Sequence, residues 1–287
     1  MIDTIAASID FRIIAPEIAL VLASFLILVT SYRKDLSRYA PHIAGAGLVM
    51  SLIFSIGQLN NPQSGFFGMV TLDDFSAIFK IIFAASSSVI LLLSQRFLSA
   101  KGLNRPEFYA LLCISTMGMM VMATTTDLVV IFLGLEIMSV PLYVMAGMEK
   151  HSLESNEAGI KYLIMGSFAS AFLLMGIAFV FGASGTTDLR RIAADLTYIA
   201  SNYRLYLYSG AAMVLIGFAF KVAAVPFHTW VPDVYQGAPT PVTAFFSVGP
   251  KAAGFAALLR IFSYGFENMP ELSTIFWTLA VLTMTAG

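Results

Sequence analysis

Glu136, Lys221 and Lys251 are ionisable residues standing in apolar sequence that supplies no charged neighbour close by. Charge inside a bilayer is expensive, so such residues face internal cavities and mark ion or proton routes. Their chemistry suits protons. A lysine in a poorly hydrated site can exist neutral, whereas a nearby carboxylate favours its charged form. A glutamate that approaches and leaves a lysine would make that lysine alternately hold and release a proton. A second lysine could then accept it through water.

Depth follows from the helical rise of about 1.5 Å per residue. Glu136 stands nine residues after Asp127, where its apolar run begins, and so lies about 14 Å deep, near the midplane of a hydrocarbon core. Lys251 lies nine residues into its own run and reaches a similar depth. Glu17, Lys80, Asp127 and Lys161 sit within one or two turns of their run ends, where snorkelling or interfacial solvation is expected. Lys221 is open to two readings. A straight helix over 206–225 leaves it about four residues from the end, within snorkelling reach of water. The continuation "PFHTWVPDVYQGAPTP" argues otherwise, because it carries only Asp233 as a formal charge and is too aromatic for an ordinary loop. A discontinuous seventh helix, its broken backbone packed inside the protein, moves Lys221 inward.

A helical proline removes the hydrogen bond to the carbonyl four residues earlier. Pro141 is therefore expected to free the carbonyl of Ile137, Pro226 that of Val222, and Pro250 that of Phe246. Each of the three deep charges has a proline within five residues. Freed carbonyls beside ionisable heads are the ingredients for ordering internal water. A passive alternative stays open, in which the buried charges merely pair to lock helices together.

The elements that position these residues are apolar throughout. Of 287 residues 58% are hydrophobic and 11% charged, with a mean hydropathy of +0.83, against about 25% charged in soluble domains. The chain is an all-α polytopic membrane protein whose surroundings are the lipid bilayer. With a net charge of -1 and no basic stripe, a nucleic-acid partner is excluded. Cys113 is a lone cysteine in an apolar run, and His42, His151 and His228 have no zinc-ligand spacing, so no metal is expected. The first run, 13–30, has Arg12 before it and Arg33, Lys34 and Arg38 after it, the reverse of a signal peptide.

Runs long enough to span give eight predicted helices: 13–31, 40–59, 74–96, 107–124, 127–148, 159–183, 206–225 and 242–263. A ninth begins near Leu272 and is still apolar at Gly287, so the chain reads as the first part of a longer protein. Arg33, Lys34, Arg38, Arg96, Lys101, Arg105, Lys150 and Lys161 favour the cytoplasmic side. Arg12, Arg190, Arg191, Arg204 and Arg260 fall opposite, which puts the N-terminus outside. In "TTDLRRIAADLTYIASNYR", Leu189, Ile192, Leu196 and Ile199 recur at helical spacing. They predict a short helix, either interfacial or packed on its own domain.

The segments "GLEIMSVPLYVMAG" around Glu136 and "FKVAAVPFHTWVPDVYQGAPTPVTAFFS" around Lys221 resemble the fifth helix and broken seventh helix of the proton-translocating, antiporter-like subunits of respiratory complex I. With "SVGPKAAGFAALLRIF" around Lys251, the resemblance is to the N-chain branch of the bacterial NADH:quinone oxidoreductase, and it runs along the whole chain. It implies a fourteen-helix fold of two inverted repeats. Residues 1–106 would be an N-terminal three-helix segment, 107–265 a first five-helix repeat, and 266–287 the start of the second. A further relay lysine would lie beyond residue 287. The resemblance also implies a Glu136, Lys221, Lys251 proton relay, with Pro141, Pro226, His228, Pro232, Pro239 and Pro250 as helix-breaking and supporting positions.

Such a chain would be a non-redox translocase subunit in a bacterial inner membrane, assembled with other membrane subunits of complex I. Flavin and iron–sulfur clusters would sit in partner subunits, which would also bind NADH and quinone. One cysteine cannot ligate a cluster, and no glycine-rich phosphate loop is present. A subunit of a multisubunit Mrp-type cation/proton antiporter shares the same features and is the alternative.

Overall fold

In the computed structural model, residues 10–267 and 269–287 are described, and helices dominate. Chain order runs α1 (Ala15–Ser31), the single turn α2 (Lys34–Ser37), α3 (Ala40–Gly57), α4 (Asp74–Ala100), α5 (Pro106–Thr124), α6 (Leu128–Ala146) and α7 (Leu153–Ser184). Two short helices follow, α8 (Leu189–Ala194) and α9 (Leu196–Asn202), then α10 (Arg204–Val222), α11 (Val231–Gly237), α12 (Thr240–Arg260) and α13 (Pro270–Ala286). Seven helical segments among the described residues are long and apolar enough to cross a membrane, and α1 and α13 are shorter apolar helices. Leu22, Phe25, Leu92, Phe168 and Trp277 are among the large apolar side chains left exposed, as expected of a surface whose solvent is lipid.

In lipid, helices gain nothing by hiding leucine from water, so close backbone contact takes over as the packing force. Where α5 crosses α6, a side chain at Gly118 would meet the Gly134 carbonyl oxygen at 2.8 Å and Met138 Cα at 2.9 Å. Only glycine permits that crossing.

Between α3 and α4 the chain forms a feature that hydropathy does not reveal. β1 (Gln63–Gly65) and β2 (Val70–Leu72) pair antiparallel, with Ser64 opposite Thr71. This hairpin is stitched to neighbouring loops by Thr125 Oγ1 donating to the Met69 carbonyl (2.7 Å) and by an Arg190 guanidinium N–H donating to the Gly68 carbonyl (2.6 Å). The predicted loop helix is two helices broken at Asp195, and Leu189, Ile192, Leu196 and Ile199 are all buried. The packed reading of this segment is therefore the observed one.

The same face carries a clasp that treating Arg260 as a loop charge did not anticipate. Arg260, 1% exposed, donates to both Asp73 carboxylate oxygens (2.5 and 2.8 Å) and to the Ala123 carbonyl (2.8 Å). Asp73 also caps α4: its Oδ1 accepts from the Ser76 N–H (2.8 Å) while the Ser76 Oγ accepts from the Asp73 N–H (2.9 Å). The Asp73–Arg260 pair thus joins the start of α4 to the ends of α5 and α12. Burial alone would raise the Asp73 carboxyl, but hydrogen bonds from Arg260 and Ser76 outweigh it and hold it below its ordinary value.

Asp73→Ala leaves Arg260 buried without its anion and is expected to cost about 3–5 kcal/mol. Ser152→Ala, which removes the cap of α7 without stranding a buried charge, is expected to cost about 1 kcal/mol. Thermal unfolding of the two purified variants in detergent checks that ordering. The clasp's contribution is present above the ordinary carboxyl value of 3.8 and is lost as pH falls through the lower folded value. The Asp73→Ala protein should therefore show less loss of stability on acidification than the parent.

Candidate functional site

The break after α10 sets the site. Helix α10 stops at Val222 because Ala223 turns left-handed at φ 62°, with Ala224 N–H donating to the Ala219 carbonyl (2.8 Å) and Ala223 N–H to the Phe220 carbonyl (3.1 Å). The chain then runs without helix to Trp230, whose indole N–H also donates to the Phe220 carbonyl (3.1 Å). Pro232 opens α11, Pro239 precedes α12, and Pro250 lies inside it. Pro226 differs from expectation. It lies beyond the helix end rather than inside a continuing turn, so Val222 loses its partner to helix termination and not to a missing proline N–H. Pro141 does lie within α6.

Lys221 is 4% exposed. Its ammonium donates to Ser139 Oγ (2.7 Å) and to the Tyr162 hydroxyl (3.4 Å), and lies 5.5 and 6.0 Å from the ring centroids of Tyr162 and Tyr143. Ser139 directs its own proton to the Leu135 carbonyl (2.5 Å), which turns its lone pairs towards Lys221. Helix α12 packs against the lysine stem through Gly254, where a Cβ would stand 2.8 Å from Val222 Cγ1 and 3.7 Å from Lys221 Cγ.

Glu136 is half-buried on α6, and its Oε1 accepts from Ser170 Oγ on α7 (2.5 Å). Glu136 and Lys221 form no direct ion pair among the described residues. Beside Lys221 lies a cavity of about 10 Å³, lined by Ser139, Tyr143, Gly166, Phe220 and by Ser170, the hydrogen-bond partner of Glu136. That is room for about one water centre. Lys251 is half-buried, with its ammonium 5.3 Å from the Tyr235 ring centroid. His228 has a buried Nδ1 without a hydrogen-bond partner among the described residues. The arrangement can hold a proton at Lys221 on neutral, reversible partners, with the Glu136 carboxylate reached through Ser170 on the same cavity.

Hydroxyl groups escape a search based on charge, and Ser139, Tyr162 and Ser170 were missed for that reason. Depth also misjudged Lys80. It is 0% exposed rather than snorkelling, with Glu17 Oε1 at 2.9 Å, the Ile13 carbonyl at 3.1 Å and Gln58 Oε1 at 3.2 Å. Lys161 does stay at the surface, paired with Glu157 and Asp233.

Residues 125–287 match the family described as NADH:quinone oxidoreductase/Mrp antiporter, TM. NADH-quinone oxidoreductase subunit N of Trichlorobacter lovleyi is 44% identical over 98% of this chain and 58% of its own length. The chain thus spans somewhat over half of that curated relative. A chain of respiratory complex I from Thermus thermophilus, solved with bound aureothin, superposes with a TM-score of 0.74 at 30% identity, over 85% of this chain and 52% of that one. A chain of the Mrp complex from Dietzia sp. gives a TM-score of 0.69 at 24% identity over 90% of this chain and 49% of that one, a likeness of fold.

Lys80→Ala strands Glu17 in the interior and is expected to destabilise by about 3–5 kcal/mol, whereas Lys80→Met with Glu17→Leu should recover most of the loss. Comparing melting temperatures of the single and double variants in one detergent decides it.

Proposed function

Because the chain belongs to the NADH:quinone oxidoreductase/Mrp antiporter transmembrane family, we propose that it translocates protons as part of the N-chain membrane subunit of a bacterial NADH:quinone oxidoreductase. The observation that carries this reading is Lys221. It is a lysine sealed from solvent beside a break in its helix, partnered by hydroxyls, on a cavity of single-water size that it shares with Ser170, the partner of Glu136. The names of the relatives supply the complex, and the site supplies the chemistry.

In this mechanism Glu136, Lys221 and Lys251 form the relay. Ser139 and Tyr162 accept hydrogen bonds from the Lys221 ammonium when it is charged, and either hydroxyl can turn to donate to a neutral amine. Approach of negative charge from the Glu136 side favours the charged lysine, and its withdrawal releases the proton towards Lys251. Against a membrane potential each transferred charge costs about 2.3 kcal/mol per 100 mV. The break over 223–230, with Pro226 and His228 inside it, Pro232 opening α11 beyond it and Pro239 following α11, gives the surrounding backbone somewhere to move.

The chain is the first part of a fourteen-helix protein of two inverted repeats, with 1–106 as the N-terminal segment, 107–265 as the first repeat and 266–287 opening the second. It lies in the inner membrane with its N-terminus outside, counting α1 as a span. Electron transfer, with flavin, iron–sulfur clusters, NADH and quinone, belongs to partner subunits. The subunit is a translocase within an oxidoreductase and does not itself perform the redox step.

Lys221→Ala in the full-length chain should leave the complex assembled while proton uptake into inverted vesicles during NADH oxidation falls by roughly 10²-fold, as expected for loss of a positioned proton-transfer group. Normal pumping by that variant would sink the assignment. Full pumping by Glu136→Gln with Lys221→Met, in an assembled complex, would favour a scaffold. Sodium-dependent proton exchange in vesicles given no redox donor would instead favour the Mrp-type antiporter.

A further inference from the structure

Each of the two relay lysines keeps company with a tyrosine. The Lys221 ammonium reaches the Tyr162 hydroxyl at 3.4 Å, and the Lys251 ammonium lies 5.3 Å from the Tyr235 ring centroid. Trp230 and Phe246 stand between the tyrosines, and each touches both. Trp230 stacks on Tyr162 at 4.6 Å and meets Tyr235 edge-on at 6.2 Å. Phe246 lies 5.4 Å from Tyr162 and 6.4 Å from Tyr235. The two lysine–tyrosine pairs therefore sit on opposite flanks of one aromatic seam.

They differ in one respect. The Tyr162 hydroxyl accepts from Lys221, whereas the Tyr235 hydroxyl is buried and has no hydrogen-bond partner among the described residues. A buried hydroxyl left unpaired costs about 1–3 kcal/mol. The ring contacts do not call for it, since phenylalanine would meet Trp230 and Phe246 equally well. Nor does anything hold Tyr235 in place through its oxygen: its backbone is fixed by Thr243 Oγ1 donating to the Tyr235 carbonyl (3.0 Å). An oxygen that packing does not need, buried on a ring that carries an ammonium over it, points to a transient partner.

We propose that Tyr235 is a proton-relay residue that carries the proton from the Lys221 flank of the aromatic seam to Lys251. Once the Lys251 head swings from over the ring to the oxygen, the phenol O–H gives its proton to the neutral amine. The phenol oxygen takes a proton from hydrogen-bonded water on its other flank, which Lys221 replenishes through Tyr162. The phenol ends as it began, Lys221 has lost one proton and Lys251 has gained one. Trp230 and Phe246 can then stay packed during transfer, which keeps bulk water out of the path. This inference rests on the proposed roles of Lys221 and Lys251.

The test uses the full-length chain in its assembled complex, in inverted membrane vesicles, with Lys221→Ala prepared alongside. Tyr235→Phe keeps the ring and removes the oxygen, while a ring-fluorinated tyrosine at 235 keeps shape and hydroxyl and changes only acidity. The expected result is a severalfold fall in donor-driven proton uptake for Tyr235→Phe, and a displaced pH profile for the fluorinated protein. Parent-like rates and pH profiles in both, with Lys221→Ala defective, overturn the role of Tyr235 and leave the relay standing. Parent-like pumping by Lys221→Ala overturns the relay itself and Tyr235 with it. Should Tyr235→Phe fail to assemble, the fluorinated protein decides alone.

Discussion

The ammonium of Lys221 rests on two hydroxyl oxygens and two aromatic faces, with no carboxylate in contact among the described residues, and that choice of partners governs the geometry around it. A direct ion pair in so dry a place would be hard to undo, because breaking it strands a charge. Lys80 shows that alternative, with Glu17 against it and two further oxygens around it. Hydroxyls serve either charge state of an amine, since they accept as readily as they donate. The fold thus contains one buried lysine held by a carboxylate and another held by hydroxyls.

Such partners have to be brought from several helices, which explains the glycines and the break. Ser139 comes from α6, Tyr162 from α7 and Trp230 from the non-helical chain after Val222, while α12 approaches on the bare face of Gly254. A continuous α10 would carry residues 223–230 onwards and away. Stopping at Ala223 folds Trp230 back onto Phe220, closing the pocket with the backbone groups that the break exposes.

Much of this is legible from residue order because the bilayer punishes unsatisfied charge. The uncharged, proline-rich run after Lys221 marked the interruption correctly, although the helix ends three residues before the predicted 225 and without help from Pro226. Lys80 and Arg260 were misread for one shared reason. Depth along a single helix says how far water is but nothing about who stands opposite, and their partners Glu17 and Asp73 lie 63 and 187 residues away. The hairpin at 63–72 left no trace in hydropathy, being short and formed by loop residues. Neutral hydroxyls such as Ser170 carry no signal at all until three-dimensional proximity gives them one.

Asp73 caps the beginning of one long helix through Oδ1 and holds the Arg260 end of another through both oxygens. These ends cannot loosen separately. Helix α12 is consequently pinned at its Arg260 end, while Pro250 interrupts its hydrogen bonding halfway and Ala238 and Pro239 join its Thr240 end to α11. Lys251, one residue beyond that proline, stands where the anchored half meets the half left to swing.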